Sequence, residues 1–393
     1  MKKVPLIVAA SLGAFVFGII STFWGQVVVP SLGSIATTVL LANSIGLVIG
    51  SILAGPVIDK LGNKVAMVVG IGLVAVGAFG LGHIGGSVAI GFAMALLVGI
   101  GGSAIVTGAN AAVGDIADTD AARGNWGNII NNFFAVGAFI AGNTFGVLVG
   151  KGLKMAELAT YMGILGVAVC VYYVVISFPP AKATGASMTA GAGQVLGRGI
   201  FWALAASLFF YVGCEGSVWY WLNKYLTEGL KFTAEAAGVT ISVFALGIII
   251  GRIISSVLLA RNILGPLPLT LIGAIGIAVS FTGLLFAEDV TTVRVLTGIA
   301  GACMGPLFPT LLAATGINFP RNIGTAIGLA ITGGWLGYVF IPPAIGYALN
   351  LGLVSNLRNG LFLTSGAAVF LVLMNLIALA LSRKGNSKTA TAK

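Results

Sequence analysis

Apolar residues in this chain run on for twenty or more positions at a time. Breaks at charges, Pro/Gly clusters and turn residues leave twelve such stretches: 4–29, 33–57, 65–84, 88–114, 126–150, 157–178, 199–226, 234–260, 265–287, 290–317, 323–350 and 359–382. A helix crosses the hydrocarbon core with about 20 residues, so the pattern predicts an all-α membrane protein with twelve transmembrane helices. The first stretch follows Met1-Lys2-Lys3 like a signal peptide. Its apolar run is too long and no A-x-A-like site follows, so it is read as a retained helix.

Twelve spans place both termini on one side. That side holds Lys2, Lys3, Lys60, Lys64, Arg123, Lys182, Arg198, Arg252, Arg261, Arg321, Arg383, Lys384, Lys388 and Lys393, against Lys151, Lys154, Lys224, Lys231, Arg294 and Arg358 opposite. The imbalance satisfies the positive-inside rule with both termini cytoplasmic in a cytoplasmic (inner) membrane. The net charge of +10 is thus a topology signal, and no nucleic-acid partner is expected.

Of 393 residues, 58% are hydrophobic and 8% charged, which excludes an ordinary soluble domain. The 59 glycines read as surfaces where membrane helices approach closely. Cys170, Cys214 and Cys303 lie in apolar runs without metal or disulfide spacing, and His83 is the single histidine. With no His cluster, nucleophile–base pair or phosphate-binding GxxxxGK[ST] loop, an enzyme, an ATP-driven pump, a metal and a cofactor are not expected.

The longest polar interruption, 179–198, divides the chain into a bundle at 1–180, a cytoplasmic linker at 181–196 and a bundle at 197–393. The halves resemble each other: Gly46-Leu-Val-Ile-Gly50 parallels Gly247-Ile-Ile-Ile-Gly251, and Gly99-Ile-Gly-Gly102 parallels Gly298-Ile-Ala-Gly301, at offsets of 201 and 199 residues. Two six-helix pseudo-repeats are the pattern of transporters that hold their cargo between the repeats.

Glu215 is the one acid deep in a span, where an ionisable group is costly enough to imply function. Tyr211, Glu215 and Trp219 recur every four residues and are expected on one helix face, a carboxylate between rings that suits a sugar; a carboxylate satisfied by neighbouring helices is the alternative. Asn128, Asn131, Asn132 and Asn143 share a face of span five, and Ser103, Thr107 and Asn110 a face of span four. Amides both donate and accept, matching a polyol, although helix-to-helix bonding would use them equally well. Trp24 and Gln26 precede Pro30 in span one. In span eleven Trp335 and Tyr338 either line a cavity or, for Tyr338, anchor at the interface. Gly305-Pro-Leu-Phe-Pro309 and Pro342-Pro343 free carbonyls and bend their spans. Arg252 lies about 28 Å along span eight at 1.5 Å per residue, which predicts a cytoplasmic-end anchor or gate partner.

Between spans two and three, Gly55-Pro-Val-Ile-Asp59-Lys60-Leu-Gly62-Asn-Lys64 resembles the G-x-x-x-D-x-x-G-x-[RK] signature of the major facilitator superfamily, in the family's own position. The resemblance implies the major facilitator fold. Asp59 is expected against the start of span eleven, whose exposed N–H groups favour an anion, locking the cytoplasmic side, with Lys60, Lys64 and Arg252 as further gating candidates; a structural turn is the alternative reading. Segments such as Asn128-Ile-Ile-Asn131-Asn132, Tyr211-Val-Gly-Cys-Glu215, Gly305-Pro-Leu-Phe-Pro309 and Gly333-Gly-Trp335 look like the fucose permease branch of sugar:proton symporters. The chain departs from that branch at its two membrane acids, where Gln26 and Val106 stand, so Glu215 would carry any ion coupling.

The expectation is a monomeric secondary transporter moving a small polar solute, a monosaccharide foremost, with proton or sodium coupling by alternating access. Trp24, Gln26, Thr107, Asn110, Asn128, Asn131, Asn132, Tyr211, Glu215, Trp219, Trp335 and Tyr338 are the expected solute ligands. A proton-coupled exporter of amphipathic compounds is the rival, and a membrane sensor or enzyme a more distant one.

Overall fold

The computed structural model describes residues 3–116, 120–180 and 191–390, and the regular structure within them is helical. Lys2, Lys182, Lys393 and most of the expected linker lie outside the described residues. The spans are α1 (Lys3–Phe23), α2 (Ala36–Leu61), α3 (Asn63–Leu81), α4 (Val88–Ile116), α5 (Asp120–Gly150) and α6 (Met155–Val175). After a short helix at Ala192–Leu196 come α7 (Gly199–Ser217), α8 (Ala234–Ala260), α9 (Pro266–Leu284), α10 (Val290–Met304), α11 (Ile323–Asn350) and α12 (Leu357–Ala390). Lys3–Leu61 is one nearly continuous 59-residue apolar path. It turns at Gly33, whose φ of 56° suits a residue without Cβ, and so holds two spans. The predicted twelve-helix count stands.

Three departures from the α pattern matter below. Trp24–Val28 and Val218–Leu222 are π turns that continue α1 and α7, and Tyr225–Gly229 is a third. Span ten breaks at Gly305-Pro306 and resumes at Leu307–Asn318. Proline supplies no N–H, so Pro309 leaves the carbonyl of Gly305, four residues back, without its helical donor.

Contacts group the chain into two units, residues 1–184 with 218–245, and residues 185–217 with 246–393. In the first, glycines set the helix spacing. A Cβ on Gly18 would strike the Phe134 carbonyl of α5, and one on Gly137 the Phe15 carbonyl of α1. Association in lipid lacks a hydrophobic driving force and relies on such close packing. A cluster of Leu6, Ala10, Ala14, Ala109, Val113 and Ile130 closes the N-terminal end of this unit. The π turn Val218–Leu222 and the first half of α8 belong here too: Gly238 faces Gly142 and Gly146, and Ser242 Oγ donates to the Phe139 carbonyl at 2.7 Å. In the second unit α7 lies against α11 along Gly213, Gly216 and Gly337.

Helix ends outside the membrane are capped by ordinary chemistry. Asp289 Oδ1 accepts from the Thr292 N–H at 2.8 Å as the N-cap of α10, and the hydrogen bonds from Thr292 hold its carboxyl below the usual carboxylate range. A depressed pKa means a stabilising contribution that is full above the unfolded-state value and lost as pH falls through the folded one. The protection factor of the Thr292 amide, its exchange rate relative to an unstructured amide at the same pH, is therefore expected to fall on acidification into that range in the wild type. In Asp289→Asn, whose amide caps without titrating, it should stay flat.

Candidate functional site

In the second unit the deep acid of α7 is surrounded by named partners. Tyr211 Oη donates to Glu215 Oε2 at 2.6 Å, the one-turn contact expected from their spacing. Tyr211 is 1% exposed, while Glu215 is only half-buried. Arg252 of α8 lies within electrostatic reach of both. It is 6% exposed and its Nε donates to the Gly305 carbonyl at 3.0 Å, the acceptor that Pro309 sets free. The expected anchor at the cytoplasmic end is thus a buried cation fastened to the break in span ten. The orphan carbonyl draws the side chain inward.

Aromatic rings complete this cluster. Tyr211 faces Phe308 with centroids 6.4 Å apart. On α11, Trp335 and Tyr338 pair at 6.0 Å and are 9% and 7% exposed. Tyr338 fills the space that a Cβ on Gly216 would need, with ring atoms 2.8 Å from that position, so it packs one residue beyond Glu215.

The π turn at Val218–Leu222 widens the turn that carries Trp219. Trp219 is 2% exposed and sits edge-on to Phe134 at 5.8 Å and Phe244 at 5.0 Å, in the first unit.

The first unit gathers the amides. Asn131 Nδ2 donates to Asn110 Oδ1 at 2.9 Å and to the Gly127 carbonyl at 2.8 Å, joining α5 to α4. Asn110 Nδ2 donates to the Val106 carbonyl and is exposed, whereas Asn132 Oδ1 is buried with no protein donor. Thr107 Oγ1 is spent on the Ser103 carbonyl, and Asn128 is half-buried on the same helix as Asn131. Trp24 is 1% exposed, stands edge-on to Tyr220 at 6.4 Å and leaves its Nε1 unpartnered. Gln26 is 4% exposed with both amide atoms unpartnered.

On the α2–α3 turn, Gly62 takes a φ of 90°, which favours glycine there. Lys64 Nζ donates to the carbonyls of Val174 (2.6 Å) and Ile176 (3.0 Å), satisfying the C-terminus of α6 as a cation should. Asp59 is half-buried and Lys60 exposed on the same turn.

Sequence reasoning missed other buried polar groups. Asn43 Nδ2 donates to Tyr220 Oη at 2.7 Å, across 177 residues. Asn375 of α12 is fully buried with a free Oδ1. Their signal is a lone amide in an apolar run, which spacing cannot pair with a partner.

The sequence matches the family model described as Major Facilitator Superfamily over residues 6–342. The chain belongs to the Major Facilitator Superfamily. It is a multi-pass membrane transporter of that superfamily, as the signature around Asp59 implied. Among solved structures, a D-xylose-proton symporter superposes with a TM-score of 0.76 at 17% identity, covering 95% of this chain and 97% of its own. A variant of the E. coli fucose:proton symporter FucP gives 0.67 at 17%, over 96% and 98%. A variant of the nucleoside transporter NupG gives 0.77 at 14%, over 96% and 99%. At such identities these likenesses establish the superfamily fold. Comparison with curated proteins returns no match.

Proposed function

We propose that this superfamily member takes up a small neutral polar solute, a monosaccharide foremost, across the cytoplasmic membrane by alternating access, driven by a proton or sodium ion. Both termini are placed in the cytoplasm and the working unit is a monomer. The observation that carries the reading is the Tyr211–Glu215–Arg252 cluster: a titratable carboxylate beside a buried cation within the membrane. Such groups are expensive in lipid and mark ion pathways. Loading a cation on Glu215 cancels its attraction to Arg252, which gives an ion a means to alter how α7, α8 and the broken span ten hold together.

The solute class rests on the amides. Asn110, Asn131 and Asn132 offer donors and acceptors without net charge, and the buried Trp335–Tyr338 pair offers apolar faces for C–H stacking. Fold likeness to symporters of xylose and fucose agrees with this choice. Asp59 and Lys60 are proposed to gate from the α2–α3 turn, which Lys64 fastens to α6.

The test is uptake of a labelled monosaccharide panel into proteoliposomes, with and without imposed proton or sodium gradients. Gradient-driven accumulation of one sugar supports the reading and names solute and ion. Equilibration indifferent to both gradients leaves a uniporter with Glu215 as a ligand, and absence of uptake for every sugar favours the exporter of amphipathic compounds. Removing two amides also separates the readings. Asn131→Ala with Asn132→Ala is expected to lower sugar kcat/KM about a hundredfold, two lost hydrogen-bonding groups at about 1.5 kcal/mol each, while an exporter of apolar cargo would lose little.

A further inference from the structure

The first unit carries two neighbouring cavities at the end opposite its N-terminus, the outer face in the orientation proposed above. The larger, about 590 Å³, is bordered by Gln26, Val27, Ser31, Leu153, Lys154 and Met155. The smaller, about 270 Å³, is bordered by Gln26, Val149, Asn223, Thr227 and Phe232. Gln26 is the polar residue common to both, and it is the one whose amide oxygen and nitrogen are buried with no protein partner. The π turn Trp24–Val28 and Pro30 after it place it there. On the opposing side, Gly25 lets α1 approach so closely that a Cβ would strike the Trp219 carbonyl, which fixes the wall that carries Asn223 and Thr227.

We propose that these cavities form an outer recognition pocket, separate from the Glu215 cluster, that binds a neutral polyhydroxylated solute with Gln26 as its central ligand. A buried amide with neither end paired calls for a group that donates and accepts at one point, which is a hydroxyl. Leaving a buried donor and acceptor unmatched is costly, so the site is built for an occupant. Lys154 is the charged residue bordering the larger cavity, and Glu157 in the first turn of α6 accepts from its backbone N–H at 2.8 Å. The smaller cavity is bordered by uncharged residues throughout, which favours a neutral ligand over an ion. Val27, Val149, Leu153 and Met155 give apolar walls for C–H faces, and the larger volume lies in the range of small-molecule sites. The ligand class follows from the lining alone; only the side of the membrane rests on the proposed orientation.

The test reads occupancy without transport. Ser31 is exposed at the cavity wall, so Ser31→Cys in intact cells can be titrated with a membrane-impermeant maleimide. The wild-type chain, with half-buried Cys170 and Cys303 and buried Cys214, sets the background. Glucose, mannitol and inositol are expected to slow labelling, and gluconate and glucosamine are not. Gln26→Leu should raise the half-protecting concentration about tenfold, with an unchanged ligand-free labelling rate showing that the pocket is intact. Gln26→Glu keeps the shape and should shift protection toward glucosamine, which reads the site even if the leucine variant fails to fold. Glu215→Gln should leave protection as it is. Absence of protection by every neutral polyol, protection indifferent to both Gln26 variants, or its loss in Glu215→Gln would each overturn the pocket. Failed sugar uptake alone, with protection present, counts against the transport reading and not against this one.

Discussion

Glu215→Gln is expected to abolish gradient-driven accumulation while leaving equilibration of the solute intact. The amide occupies the same volume, and its oxygen can still accept from Tyr211 Oη in place of Glu215 Oε2, so the cluster keeps its shape. What disappears is the exchange of charge. One elementary charge crossing a potential of about 100 mV delivers about 2.3 kcal/mol, equivalent to about a fifty-fold accumulation at about 1.4 kcal/mol per decade. The internal-to-external ratio of labelled solute in energised proteoliposomes should fall from that order to one, with counterflow exchange retained. Undiminished, gradient-dependent accumulation in this variant would remove Glu215 from the coupling step. The most direct rescue control is Glu215→Asp, which restores the carboxylate on a shorter arm and should restore part of the ratio.

The fold was legible because the bilayer simplifies the code. Stretches such as 88–114 and 234–260 became α4 (Val88–Ile116) and α8 (Ala234–Ala260) with a change of two residues in the first and none in the second, since only a helix can satisfy its backbone in lipid. The ends drifted where water takes over. Span five starts at Asp120, not near 126, and span twelve runs to Ala390, past the apolar stretch that ended at 382. Charges there forbid membrane but not helix. Register was legible where the helix stayed α. Tyr211 and Glu215 meet as their spacing requires, and one turn later Val218–Leu222 winds as π, with Trp219 packed on Phe134 and Phe244.

Depth along a span was readable, and burial was not. Arg252 stands where its position in α8 puts it, yet the residue is 6% exposed because Gly305 offers a carbonyl that Pro309 cannot occupy. Both residues are visible in Gly305-Pro-Leu-Phe-Pro309, so a rule that asks where each intramembrane proline leaves its orphan carbonyl would have pointed to a donor there. The same rule has a limit at Asn43 and Tyr220, 177 residues apart. No local pattern marks that pairing, since a tyrosine and an asparagine within apolar runs are each compatible with many partners.

Arg252→Met should unfold the second unit more readily than any other single change around Glu215. Methionine matches much of the side chain's volume and flexibility, so packing is largely kept and the loss is electrostatic. Breaking a fully buried charge set by removing one member costs about 3–5 kcal/mol, and with Glu215 half-buried the cost here lies below that range: Glu215 loses its neighbouring cation and the Gly305 carbonyl loses its donor. The thermal midpoint in detergent should fall clearly below that of wild type. Glu215→Gln alone leaves Arg252 buried beside a neutral amide and should also lower it, by less, since the Gly305 carbonyl still holds the guanidinium. The double variant decides the matter. If the two groups are energetically linked, Glu215→Gln with Arg252→Met recovers a large part of the stability lost in Arg252→Met, as replacement of a whole buried charge set by apolar or neutral groups often does. Strict additivity of the two losses would mean that Arg252 serves the break in span ten alone, and that Glu215 works without it.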